Sequence, residues 1–275
     1  MGDFDEFENL SGGWRIDKED FSDLDSMEGE SSVLAMRGNY EANDFDARDI
    51  LKTENQKSQG ACQGHAISSA LELCSCIAIG EKSLELSRAM GYYETQRLDG
   101  IRGDKGSTIS GGAKLAMNTG ICTEDLWPYP SKYSNKRPSN YNAVLSSAKR
   151  FKVGKRVRIE SWDGFTTFLE AGLGAISLGI RWNKSVNREH VTDFRCGGGG
   201  HALSAAQMSK KRPGEIDILN SWGTRWGDNG WATWNQKAVE KMFRDKFTVI
   251  IGISDMVELE PRKVTFTDFL DNITV

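Results

Sequence analysis

No stretch of this 275-residue chain approaches the roughly 20 consecutive apolar residues that a membrane-spanning helix requires, so no membrane partner is expected. Cysteine is sparse and odd in number, five in all, which is no disulfide framework and favours a reducing compartment. The first residues, MGDFDEFENLSGGW, lack a positive start and an apolar stretch, so no secretory signal is expected. No run of Lys and Arg is dense enough to argue for nucleic acid. Histidine is scarcer still, at His65, His190 and His201, and any imidazole chemistry must draw on these three.

What remains is the composition of a soluble globular protein, 38% hydrophobic and 27% charged, long enough for one large domain or two lobes. The net charge of −4 hides an asymmetry. Eleven acids and two bases fall in residues 1–30, leaving 28 of the 39 acids and 33 of the 35 bases for a mildly basic body. Residues 1–42 therefore read as an acidic leader, partly disordered or docked on the body or on a partner protein. Phe4, Phe7, Trp14 and Phe21 are its aromatic anchors.

CQGHAISSALELCSCIAIG, 62–80, is small or apolar on all sides and predicts a buried helix. SLELSRAMGYYETQRL (83–98) and AKLAMNTG (113–120) predict two more, the last closing on Gly120. Beyond WPYPSKYSNKRP the texture changes to short strand-like runs at 153–161, 174–182, 201–209, 215–222, 230–234 and 247–254. Helical pieces at 170–174 and 236–246 lie among them. The expected class is α+β in two lobes. The divisions expected are a helical lobe over 43–125, a β-rich lobe over 126–260 and a C-terminal extension over 261–275.

A cysteine nucleophile needs a lowered thiol pKa, a base within reach and donors for the developing oxyanion. Cys62 opens the predicted helix. His65 lies one turn further, where a core can absorb it, and His190 sits in polar NREHVTDF. His201, in CGGGGHALSAAQ, has an open glycine approach and an apolar strand behind it, which makes it the best-placed base. LNSWGTRWGDNGWATW delivers Asn220 after a strand, able to accept a ring N–H, with Trp222 to exclude water from that bond. A rival reading is a zinc site from Cys62-x-x-His65 and Cys196-x4-His201.

The order Cys62, His201, Asn220, with 139 residues from cysteine to histidine, matches the layout of papain and cathepsin-type proteases. NQKSQGAC, GGHALSAA, NSWGTRWGDNGW, FDARD (45–49) and SGGAKLAMNTGICTEDLWPYP each resemble a motif of that family, together spanning roughly 43–260. The resemblance implies a two-lobe fold with a β-barrel-like second lobe and the site in the cleft. It also implies a cysteine endopeptidase acting through a thioester acyl-enzyme on an extended polypeptide, without cofactor or metal. Cys62 would be the nucleophile, His201 its base and acid, and Asn220 the residue orienting it under Trp222. Gln56 and the Cys62 N–H would form the oxyanion hole, and Gly111, Gly112 and Gly200 would border the substrate.

QGAC alone invites matching Gln59 to the family glutamine, which would place His65 at the nucleophile. Matching Gln56 preserves the six-residue spacing to Cys62. The aromatic residue usual after the nucleophile is Gln63 here, and the cysteines do not follow the secreted disulfide pattern. The chain therefore resembles the intracellular bacterial or viral branch, implying a cytoplasmic or virion-associated protein. Two alternatives stay open: a catalytically silent structural or binding component, for example of a virion, and an isopeptidase or acyl transferase using the same triad.

Overall fold

A computed structural model of the chain describes residues 13–16, 46–80, 83–172, 174–183 and 188–257. The rest of the leader, with Phe4, Phe7 and Phe21, and the expected extension at 261–275 lie outside the described residues. In chain order the elements are β1 (Trp14–Arg15), α1 (Ala47–Ile50), α2 (Cys62–Ile79), α3 (Arg88–Leu98), β2 (Ser107–Thr108), α4 (Ile109–Asn118) and α5 (Tyr141–Lys149). Then follow β3 (Val153–Arg158), α6 (Trp162–Glu170), β4 (Gly174–Arg181), β5 (His190–Val191), β6 (Gly200–Met208), β7 (Ile216–Leu219), β8 (Trp231–Trp234), α7 (Gln236–Phe243) and β9 (Val249–Met256).

Helix α2 begins at the cysteine and stops at Gly80, whose φ of 70° lets its N–H return to the Cys76 carbonyl. It is buried on nearly every side, as its composition predicts. α3 crosses it closely at two glycines. A Cβ on Gly64 would stand 2.6 Å from Tyr92, and one on Gly91 would stand 2.4 Å from Ser68 Oγ. The same crossing carries a buried ion pair, Arg88 with Glu72, through two hydrogen bonds of 2.7 Å.

The large sheet has the strand order β3-β9-β4-β6-β7-β8-β5, antiparallel throughout except for the parallel β5–β8 pair. Because side chains alternate along a strand, its two faces feed two cores. Ala175, Ala202, Ala206 and Ile253 belong to the core on the side of α2, where small residues allow the helix close approach. Ile176, Leu178, Leu203 and Ile218 face the other way, with Phe165 and Phe168 of α6 and Val239 and Met242 of α7. The class is α+β, as expected.

Three expectations need correction. Trp127, Val144, Ala148 and Phe151 join the core of the helical side, so the division expected at 125/126 cuts through one core. Helices α5 and α6 stand where no helix of that extent was expected. Helix α4 begins four residues early, because Thr108 Oγ1 accepts from the Gly111 N–H and caps it.

The FDARD segment ties the start of the body to the sheet. The Arg48 guanidinium bonds both Asp217 oxygens at 2.9 and 3.0 Å and Asp228 at 2.8 Å, and lies over the Trp231 ring.

Candidate active site

Cys62 is the first residue of α2, so its sulphur stands at the positive end of the helix dipole. It is wholly buried, and burial pushes its thiol up to about 12. The backbone groups of Ala202, Gln63, Cys62 itself and Gly13 pull the other way. Among these neighbours, Ala202 is the residue after His201 on β6, so the sheet brings the histidine strand to the cysteine helix.

The His201 ring is held by Asn220, with Nε2 and Oδ1 2.8 Å apart. Oδ1 also accepts from the Ser221 N–H at 2.8 Å, which marks it as the amide oxygen. Nε2 must therefore carry the proton and donate, leaving Nδ1 as the bare nitrogen, with no hydrogen-bond partner among the described residues. The buried environment lowers this imidazole to about 4 despite the Asn220 bond, so it is neutral at pH 7. A neutral imidazole with an open Nδ1 has the protonation state needed to take a proton from a thiol.

An aromatic cage surrounds the ring. Trp222 lies over it at 4.5 Å between centroids and 30° between planes, and Trp182 meets it edge-on at 4.9 Å. Trp182 also packs edge-on to Trp222 at 4.8 Å. Sequence reasoning singled out Trp222 and missed Trp182. Its signal is the pairing of Ile180 with His201, which sets the end of β4 beside the histidine, and that register cannot be read from either strand alone.

Gln56 is wholly buried close by. Its N–H bonds the Ser221 carbonyl at 2.8 Å, and its Oε1 accepts from Ser221 Oγ at 2.7 Å. Nε2 gives one hydrogen to the Gln59 carbonyl at 2.8 Å, and an amide nitrogen has a second. Gln59 spends its side chain on the Pro130 carbonyl and the Tyr93 hydroxyl. The loop before α2 is thus stitched to the loop after β7, with Asn55 bridging Trp222. His65 is buried against Tyr129, the two rings nearly perpendicular. His190 pairs with Glu215 at 2.9 Å on a half-buried surface. Cys196 lies by Arg181 and Asp245, all five cysteines are free, and no cluster of three potential metal ligands occurs among the described residues.

Gly111 and Gly112 do not offer an extended edge. Both are buried inside α4, where a Cβ on Gly112 would meet the Gln63 amide at 1.7 Å. The extended backbone here is Ser107–Thr108, and it is already paired. Gly13, Trp14 and Arg15 of the leader run along it in parallel, with the Ser107 N–H donating to the Gly13 carbonyl at 3.0 Å. Gly106 adopts a φ of +80°, and a Cβ there would stand 2.1 Å from that carbonyl. A Cβ on Gly13 would come within 2.9 Å of Cys62 Sγ. Trp14 is buried on Gly179 and Gly200, where added Cβ atoms would fall 2.4 and 2.9 Å from its ring. Gly200 thus borders the bound leader.

A family model described as papain family cysteine protease matches residues 41–247. The chain belongs to that family. An uncharacterised peptidase C1-like protein of Acanthamoeba polyphaga mimivirus is 26% identical over 239 residues, covering 78% of this chain and 76% of that protein. Among solved structures, xylellain, a cysteine protease from Xylella fastidiosa, superposes with a TM-score of 0.72 at 20% identity, covering 90% of this chain and 98% of xylellain. A Carica candamarcensis cysteine protease in complex with E-64 superposes at 0.60 with 19% identity, over 78% of this chain and 98% of that protein. The fold is papain-like, the chain is a papain-like cysteine protease, and its hydrolase class follows from the family.

Proposed function

We propose that the protein is a cysteine endopeptidase in which Cys62, His201 and Asn220 form the catalytic triad and residues 13–16 restrain it. The observation that carries this is the His201–Asn220 bond, which fixes the tautomer with Nδ1 bare, on a strand adjoining the helix that Cys62 opens. With a peptide in place, His201 Nδ1 takes the thiol proton and the sulphur attacks the scissile carbonyl. The second N–H of Gln56 and the Cys62 N–H stabilise the oxyanion. On collapse the C–N bond breaks, the imidazolium protonates the leaving amine, and water later hydrolyses the thioester. Trp222 and Trp182 keep water from the His201–Asn220 bond.

Residues 13–16 occupy the Ser107–Thr108 edge beside the sulphur. The Gly13 carbonyl is spent on Ser107, and the leader backbone faces the sulphur from the amide side. An extended polypeptide would take its place along Ser107–Thr108, with a large side chain on Gly179 and Gly200. Peptide-library digestion tests the reading, using the chain truncated before Phe45 and its Cys62→Ala variant. New peptide termini made only by the cysteine form are expected. The absence of cleavage, or cleavage that survives Cys62→Ala, refutes it.

A further inference from the structure

Behind the His201–Asn220 pair lies a small cavity with about 10 Å³ open to the centre of a water molecule. His65, Ser69, Ser204, Asn220 and Ser221 are among its walls. Four buried polar atoms on three of these side chains have no hydrogen-bond partner among the described residues: both ring nitrogens of His65, Ser204 Oγ and Asn220 Nδ2. All three residues are buried, with 3% or less exposed. Unpaired buried polar atoms are rare and unfavourable, and a single partner in the cavity would serve three of these four, all but the second His65 nitrogen. The volume is about that of one water sphere, and a buried water needs two to four polar partners.

Glu54 also lines the cavity, but its carboxylate makes no hydrogen bond to these atoms. The Tyr129 and His65 rings meet nearly at right angles with centroids 4.7 Å apart, and Tyr129 spends its hydroxyl on the Gln56 carbonyl. Burial, together with the charges of Arg88 and Lys57 and the neighbouring His201, holds His65 well below the ordinary histidine range, so it is neutral, with one donor and one acceptor nitrogen.

We propose that one water molecule occupies this cavity and joins Asn220 Nδ2 to a ring nitrogen of His65 and to Ser204 Oγ, which makes His65 a positioning residue for the Asn220 amide. Nδ2 donates to the water oxygen, and the two water hydrogens go to the bare nitrogen of His65 and to Ser204 Oγ. The Asn220 amide is then held at both ends. The Ser221 N–H fixes Oδ1, the water fixes Nδ2, and Oδ1 stays aimed at His201 Nε2. The inference rests on the proposed role of Asn220 in orienting His201.

The test uses the full chain and three variants. His65→Phe keeps a ring and removes both nitrogens, His65→Gln restores a donor and an acceptor, and Ser204→Ala removes a second water partner. Per titrated Cys62, His65→Phe should lower kcat roughly fivefold at unchanged KM, the scale of one lost hydrogen bond. It should also shift the alkaline limb of kcat/KM, with partial recovery in His65→Gln and a smaller loss in Ser204→Ala. A purely packing role would lower Tm and the titratable fraction but leave kcat per site and the pH limb unchanged, which would overturn the proposal. NMR of ¹⁵N-histidine in the parent gives a readout independent of turnover. A single neutral His65 tautomer with a slowly exchanging N–H from pH 5 to 8 supports the link, and a ring that titrates or averages tautomers overturns it. A parent that labels His65 as expected but never hydrolyses peptide refutes the protease reading alone.

Discussion

Trp14→Ala tests the leader most sharply. The indole is 3% exposed and sits against Gly179 and Gly200, which leave no room for side chains of their own. A buried tryptophan covers about 150–250 Å². At about 25 cal/mol per Å² that is roughly 4–6 kcal/mol, an upper bound because the free leader already hides some surface. Truncating a buried tryptophan to alanine costs about 3 kcal/mol at the low end of the usual range. At 1.4 kcal/mol per tenfold, the ratio of covered to open cleft should fall about 150-fold. The assay is the second-order rate of Cys62 alkylation by E-64, alongside hydrolysis of a peptide substrate. Both should rise steeply in Trp14→Ala, approaching the rates of a chain truncated before Phe45. Ile16→Ala, at a side chain 45% exposed, should change either rate by less than about threefold. If Trp14→Ala labels and turns over at the parental rate, the leader does not restrain the site.

Further expectations follow from the same geometry. The covered state holds His201 at about 4 and the Cys62 thiol at about 12, against ordinary values near 6.5 and 9. To the extent that residues 13–16 supply this burial, a lowered histidine pKa favours docking above the open-state value, and that gain is lost as pH falls from about 6.5 to 4, by at most about tenfold per pH unit. The raised thiol pKa weakens docking as pH rises from about 9 to 12. Latency of the full chain, read as its labelling rate relative to the truncated chain, should therefore be deepest between these windows. A ratio flat from pH 4 to 8 contradicts this. Gln56→Ala should lower kcat about 100-fold, as loss of one oxyanion donor does, with intact Cys62 labelling as the control. Glu72→Ala leaves the Arg88 guanidinium charged and buried, so denaturant unfolding should show a loss of about 3–5 kcal/mol. A loss under 1 kcal/mol would mean that the pair is not buried in solution.

The family was legible because it is written in short local motifs. Cys62, His201 and Asn220 each carry neighbours that announce them, and the six-residue spacing from Gln56 set the register against Gln59. The placement of the glycine pair 111–112, expected to border the substrate, was not legible, because its motif does not show that Thr108 caps a helix ahead of it. Helix α6 did carry a helical spacing, with Trp162, Phe165, Phe168 and Leu169 on one side. Ser161 caps it by accepting from the Gly164 N–H. Trp182 and the cavity beside His65 depend on strand register and on helix α2 meeting β6, which no single segment encodes. Trp14 was marked as an anchor, but only the folded chain gave it Gly179 and Gly200 to sit on.

The central claim is that Cys62 is a nucleophile activated by His201. E-64 treatment of the full chain and of the truncated chain, followed by mass mapping of the adduct, tests it most directly. One adduct per chain on Cys62 alone is predicted, formed faster after truncation and strongly slowed by His201→Ala. An adduct on Cys74, Cys76, Cys122 or Cys196 instead, or labelling of Cys62 indifferent to His201→Ala, would contradict the account.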